Sequence, residues 1–360
     1  MKRMIFLSFV FFFTFVFAQP RGISKKVHVL QSHRKRKSVS ITKISSHGYI
    51  LVEENGNFYL YDINNNFKRS LVYTKRGQTP DERRLETVLF SSSNDRYLCI
   101  KKPENGKNIL EIRDLLSNKK RVLRSDIGNV ISAKVLDINN ILYQVRTPEN
   151  FAKTYLVKNG RNPIFITDGI PEGYSPDGKW LLISEGETVL WGTRKRQRFK
   201  TLSIFNSDGE KVLETSEFGI SNWHRWSPTS DKLVISKFGF SAFYIVYLEE
   251  RNGKLVIRDK YYFNPPEDEN GYYSVDMPQF SPDGKKISFI RAIDDGHITY
   301  NENIWILEDG TYNYYQVSNF SNTLIENVKW INNNELVVIR KDALGGNASN
   351  LEVYRIKLEE

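Results

Sequence analysis

The chain is poor in the residues that staple or metallate small folds. Cys99 is the single cysteine among 360 residues, which excludes an internal disulfide framework and every multi-cysteine zinc or iron–sulfur site. The five histidines, His28, His33, His47, His224 and His297, include no pair at metal-ligand spacing. No phosphate-cradling glycine loop or dinucleotide fingerprint occurs. Nor is there a Gly-x-Ser-x-Gly elbow. Gly173-Tyr-Ser175-Pro-Asp-Gly178 approaches one, but its spacing is wrong and Ser175 belongs to a repeated turn. Helical periodicity is missing throughout, which argues against α/β folds. Composition is that of an ordinary globular chain, with 40% hydrophobic, 13% aromatic and 26% charged residues, and the length is ample for a sizeable core.

Acidic residues are missing before Glu53. The first segment instead reads as an export signal over residues 1–18. Lys2 and Arg3 start it, Met4 to Phe17 is apolar except for Ser8 and Thr14, and Val16-Phe17-Ala18 offers a cleavage site. Such a run is too short to span a bilayer core of roughly 30 Å. Gln19 rather than Cys follows, against a lipid-anchored form. The expectation is a secreted or periplasmic product without a transmembrane segment. In an oxidising compartment Cys99, within Tyr97-Leu98-Cys99-Ile100, reads as a buried, inert thiol.

What is abundant is a repeat. Tyr174-Ser-Pro-Asp-Gly-Lys-Trp-Leu-Leu-Ile183, Trp226-Ser-Pro-Thr-Ser-Asp-Lys-Leu-Val-Ile235 and Phe280-Ser-Pro-Asp-Gly-Lys-Lys-Ile-Ser-Phe289 share one plan: an aromatic anchor, a polar turn, an apolar strand. Ser-Pro-Asp-Gly suits a type I turn. Weaker copies start at Ile44, Phe90, Leu136 and Trp330. Each copy continues into a second short strand, such as Phe58-Tyr-Leu-Tyr61 or Ile304-Trp-Ile-Leu307. Several then turn through Asn159-Gly160, Asp208-Gly209, Asn252-Gly253 or Asp309-Gly310, strong hairpin signals. Seven units at 38- to 54-residue spacing predict an all-β, seven-bladed β-propeller of four-stranded antiparallel sheets. Six blades is the alternative count, because the unit at Leu136 is shortest, and a two-sheet sandwich the alternative fold. The seventh unit has only three strands. The spare strand Val27 to Gln31 is expected to close it, giving a basic N-terminal segment at 19–43 with a propeller at 44–360.

The aromatic-Ser-Pro-Asp-Gly-Lys motif followed by an apolar strand resembles the TolB-type, WD40-like propeller repeat, in full at Ser175 and Ser281. Similar blades occur in the propellers of prolyl-oligopeptidase-like enzymes. The resemblance implies the propeller fold over 44–360. The N-terminal α/β domain of TolB-like proteins has no room between Gln19 and Ile44, the hydrolase domain of the peptidases is missing, and no family active site maps onto these turn residues.

Loop lengths separate two faces. Turns between the first and second strands, and between the third and fourth, are short. The other connections are long: 75–86, 146–153, 185–200, 264–276, 291–303 and 340–350. Long loops on a rigid scaffold concentrate binding residues. Charge agrees. Losing Lys2 and Arg3 takes the net charge from +10 to +8. The eight basic residues of 21–43 hold all of that surplus, because 44–360 carries 42 basic and 42 acidic residues. Arg34, Lys35, Arg36 and Lys37, and a second cluster with Arg194, Lys195, Arg196 and Arg198, are the candidate binding residues. They point to an acidic protein, an anionic polysaccharide or membrane headgroups as partner. Nucleic acid is disfavoured by export and by the lack of interleaved aromatics, and the chain is expected to be a monomer.

No cofactor is required by this reading. Glu86, Asp276 and Glu326, each four positions before an anchor, could hold Ca²⁺ at the mouth of the central channel, with Asn222 in the equivalent place. The expected function is an exported, non-catalytic scaffold. The rival is a propeller lyase or hydrolase on acidic polysaccharide, using Glu86, His224, Asp276 and Glu326 as acid–base or metal groups.

Overall fold

The computed structural model describes residues 22–31, 39–54, 57–74, 87–90, 95–104, 107–124, 129–147, 151–191, 194–218, 224–236, 242–266, 272–294, 299–342 and 350–359. Seven four-stranded antiparallel sheets are arranged as a β-propeller. Blade 1 comprises β2 (Val39–Ile44), β3 (Tyr49–Glu54), β4 (Asn57–Asp62) and β5 (Lys68–Thr74). Blade 2 is β6 (Thr87–Phe90), β7 (Tyr97–Glu104), β8 (Lys107–Asp114) and β9 (Lys120–Arg124). Blade 3 is β10 (Asn129–Asp137), β11 (Asn140–Arg146), β12 (Ala152–Val157) and β13 (Ile164–Thr167). Blade 4 is β14 (Gly169–Tyr174), β15 (Trp180–Trp191), β16 (Arg194–Asn206) and β17 (Lys211–Thr215). Blade 5 is β18 (His224–Trp226), β19 (Lys232–Ser236), β20 (Phe243–Arg251) and β21 (Lys254–Phe263). Blade 6 is β22 (Tyr272–Phe280), β23 (Lys286–Asp294), β24 (Thr299–Glu308) and β25 (Tyr314–Gln316). Blade 7 is β26 (Thr323–Asn332), β27 (Glu335–Asp342) and β28 (Asn350–Leu358), with β1 (Gly22–Gln31) as its outer strand. The unit at Leu136 is thus a complete blade 3, which removes the six-blade count, and the radial order removes the sandwich. Among the described residues no helix is long and apolar enough to cross a membrane.

Each blade is buried on both faces, which is why its middle strands read as apolar runs rather than as alternation. In β3, Ile50 and Val52 pack with Val337, Ile339 and Leu351 of blade 7. Leu51, between them, packs with Phe90 and Leu98 of blade 2. Similar clusters join every neighbouring pair round the ring. Each fully buried Ile or Leu contributes about 1.5–3 kcal/mol. Cys99 sits in the cluster between blades 2 and 3, and burial pushes its thiol up to about 12. The thiolate needed for reactivity is thereby suppressed.

The repeated turn explains its own residues. Ser175, Ser227 and Ser281 are fully buried. Their hydroxyls accept the N–H of Trp180, Lys232 and Lys286 at 3.0–3.1 Å, and donate to Asp177, Asp231 and Asp283 at 2.6–2.9 Å. One Ser-and-Asp pair therefore satisfies the corner where the inner strand reverses, a structural use of these serines. The turn's fourth residue needs a left-handed backbone, with φ +74° at Gly178 and +64° at Ser230.

β1 runs antiparallel to β28 from Gly22↔Leu358 to Gln31↔Asn350, with a register shift between Lys26 and His28. The closing strand is therefore five residues longer than the predicted 27–31. Its first half escapes a hydrophobicity reading because it lies at the ring's edge, where Ile23 is 61% exposed. Lys26 pairs with Glu352. That carboxylate also accepts Arg340 Nε and Nη2 at 3.0 and 2.8 Å, and His28 stacks on Phe67 of blade 1 at 4.3 Å.

Removing residues 22–31 bares the β28 edge and should lower Tm by more than about 10 °C and produce higher-order species on size exclusion. A Cβ at Gly178 would stand 2.5 Å from Leu136 Cδ2, whereas one at Gly253, also at positive φ, meets nothing within 4 Å. Gly178→Ala should therefore cost about 2 kcal/mol and Gly253→Ala about 1 kcal/mol in urea unfolding.

Candidate functional site

Two regions carry the charge chemistry. The first is the axial channel, at the end where the inner strands enter their short turns. β2, β10, β14, β18 and β26 are inner strands. They bring Lys43, Lys134, Glu172, His224 with Arg225, and Lys329 to one level, and the blade 2 turn adds Asp95. These seven residues come from six blades and act on one another electrostatically, a convergence that only the propeller axis permits. Asp95 is the hub. Its carboxylate lies 3.3 Å from Lys43 Nζ and 2.7 Å from Lys329 Nζ, and its backbone carbonyl accepts the Ser45 hydroxyl at 3.1 Å. Burial opposes the charge on Asp95, but the two ammonium groups overcome it and hold the carboxyl well below the usual carboxylate range. Burial lowers Lys43 to about 8, with Asp95 resisting and Lys329, Arg225 and Lys134 reinforcing the drop.

Glu172 is the second acid. His224 Nδ1 stands 3.7 Å from its Oε2, an ion-pair separation too long for a hydrogen bond, and Ser184 donates to its Oε1 at 2.8 Å. Burial would raise this carboxyl, yet His224, Lys134 and Ser184 bring it down to about 2. Lys134 has no hydrogen bond or ion pair among the described residues, and burial lowers it. Lys43 and Lys329 keep 22% and 24% side-chain exposure, so the girdle is wet from the channel.

Sequence reasoning picked out His224 but passed over the rest of this girdle, because it looked four positions before each anchor. The signal lay nearer. Lys43, Arg225 and Lys329 immediately precede the anchors Ile44, Trp226 and Trp330, and Lys134 and Glu172 stand two before Leu136 and Tyr174.

Of the predicted metal or acid–base group, Glu86 and Asn222 lie outside the described residues. Glu326 is in an ion pair with Lys341. Asp276 Oδ1 accepts the Met277 N–H at 2.7 Å, and burial raises its carboxyl. Glu302, which the sequence reading omitted, lies within electrostatic reach of both and is raised to about 7, chiefly by burial. Among the described residues no three His, Cys, Asp or Glu side chains converge closely enough to hold an ion, and no contact joins His224 to Asp276 or Glu326.

The second region is on the long-loop face. Arg34, Lys35, Arg36 and Lys37 lie outside the described residues. The expected loop 185–200 is a correction: it is strand. β15 and β16 pair from Trp180↔Asn206 to Trp191↔Arg194, whereas β14 pairs only as far as Glu185 and β17 only with Leu202 to Phe205. Residues 186–191 and 194–199 therefore form a two-stranded ribbon beyond the four-stranded blade. Its dense basic charge read as loop, but backbone pairing between the two segments carries it. Arg194, Arg196 and Arg198 take alternate positions of β16, opposite Trp191, Val189 and Glu187, and alternate positions share a strand face. Lys195 lies between them, opposite Leu190.

No protein-family model matches the chain, and no curated protein does. Solved structures do match in shape. The β-propeller domain of Cps50 (Swd1) from Myceliophteria thermophila has a TM-score of 0.56 at 12% identity, over 91% of this chain and 98% of that one. Oligogalacturonate lyase from Vibrio parahaemolyticus gives 0.54 at 12%, over 94% and 98%. An oligogalacturonate lyase in complex with manganese gives 0.52 at 14%, over 95% and 99%. At these identities the likeness shows the seven-bladed fold alone.

Glu172 has a folded-state value below its unfolded one, so the stability it contributes is complete above about pH 4.5 and is lost as pH falls towards 2. Tm measured across that window should fall for the wild type, and Glu172→Gln should flatten part of the fall.

Proposed function

We propose that the protein is an exported, non-catalytic β-propeller of TolB-like type that binds an acidic protein or anionic polymer through its long-loop face. The ribbon β15–β16 carries this reading: three arginines at alternate positions on a strand pair that extends past its blade. Such an array concentrates an anionic partner and speeds encounter in a salt-dependent manner. Arg34 to Lys37, on the segment between β1 and β2, would add to the same field. The leader-like first eighteen residues support export, and the Ser-Pro-Asp-Gly-Lys turns support the TolB-like assignment.

The enzymatic alternative, a lyase or hydrolase on acidic polysaccharide, is less well supported. Its candidate groups are divided: His224 faces Glu172 and Glu326 pairs with Lys341, whereas acid–base catalysis needs groups converging on one pocket.

Replacing Arg194, Arg196 and Arg198 together by Glu should reduce retention on a polygalacturonate or heparin column at least about tenfold and leave Tm within about 2 °C. Unchanged retention, or wild-type binding that persists in about 0.5 M salt, contradicts the proposal.

A further inference from the structure

We propose that the partner of the ribbon β15–β16 is an extended acidic peptide, with carboxylates at alternate residues, that pairs antiparallel to the outer edge of β16 as a third strand. The proposal rests on the long-loop-face reading above and commits it to one occupant. Two independent observations meet on residues 194–199: an open strand edge, and a charge repeat with the period of a β-strand.

The edge sets the mode of binding. On one side β16 pairs with β15 from Arg194 to Asn206. On the other, β17 covers only Leu202 to Phe205, and among the described residues no strand covers 194–199 there. In an antiparallel ladder successive residues direct their N–H and C=O groups to opposite neighbours. Half of the residues in 194–199 therefore turn theirs outward, a template for a further strand. An incoming peptide would continue the row that β17 begins, in the same antiparallel sense.

The charges select the peptide. Arg194, Arg196 and Arg198 recur at every second residue of β16, roughly 6.8 Å apart along one face of the strand. Carboxylates at alternate positions of a paired strand have the same repeat. They fall directly opposite the arginines, where unlike charges attract and like charges repel. A second copy of this edge would set arginine against arginine, so the ribbon excludes self-pairing. A polysaccharide can match the charge, but it has no rows of backbone N–H and C=O to complete the ladder.

Anisotropy titrations of the full chain at about 50 mM salt test this with blocked, labelled peptides. The alternating peptide Thr-Glu-Val-Glu-Thr-Glu-Val should bind at least about tenfold more tightly than its isomer Glu-Glu-Glu-Thr-Val-Thr-Val. N-methylating either the glutamates or the residues between them removes one edge of the peptide at a time. One of these sets should abolish binding and the other weaken it far less, because only one row of N–H groups faces β16. A chain carrying Arg194→Glu, Arg196→Glu and Arg198→Glu should lose the alternating peptide and take up its lysine counterpart, Thr-Lys-Val-Lys-Thr-Lys-Val. Equal binding of the alternating peptide, its isomer and both methylated forms overturns the strand proposal and leaves the face a general polyanion site. So does a triple variant that keeps the alternating peptide, or a wild type that polygalacturonate retains but no peptide binds. A wild type that neither polygalacturonate nor any of these acidic peptides binds overturns the long-loop-face reading as well.

Discussion

The structure depends on closure of a ring whose only strong forces act between neighbours. Each blade is a thin sheet that cannot cover its own two apolar faces, and it is stable because another blade stands on either side. An open arc would leave two faces bare, those now joined where Ile50 and Val52 of blade 1 meet Val337, Ile339 and Leu351 of blade 7. The backbone pairing of β1 with β28 and the Lys26–Glu352–Arg340 network hold that joint from the rim. The turns, the channel and the long-loop face all inherit their positions from it.

Closure also creates the axial charges. Lys43 and Lys329 lie at opposite ends of the propeller's sequence, and Asp95 bonds to both only because the first and last blades are adjacent. The cluster is thus a by-product of ring geometry as much as of local sequence. Removing one partner of such a buried arrangement leaves the others uncompensated, a larger effect than the attraction of any single pair.

Much of the fold was legible in the chain. The anchor–turn–strand unit repeats its physical cause along with its letters: a buried serine, an aspartate to receive it and a residue able to take positive φ. The three-stranded seventh unit announced the need for an extra strand. The candidate site was less legible. Lys43, Lys134, Arg225 and Lys329 each look like an ordinary strand-end charge in its own repeat, and their meaning emerges only when four blades point them at one axis. The ribbon at 186–199 was concealed for a different reason. Its basic composition suits an exposed loop, whereas its pairing comes from backbone bonds that carry no side-chain signature.

The rim contact between Lys26 and Glu352 spans 326 positions of the chain. The ring's last joint therefore cannot form until the seventh sheet has been made. Contacts of such separation close late and slowly. Until then the opening segment stays unpaired and the seventh sheet unfinished.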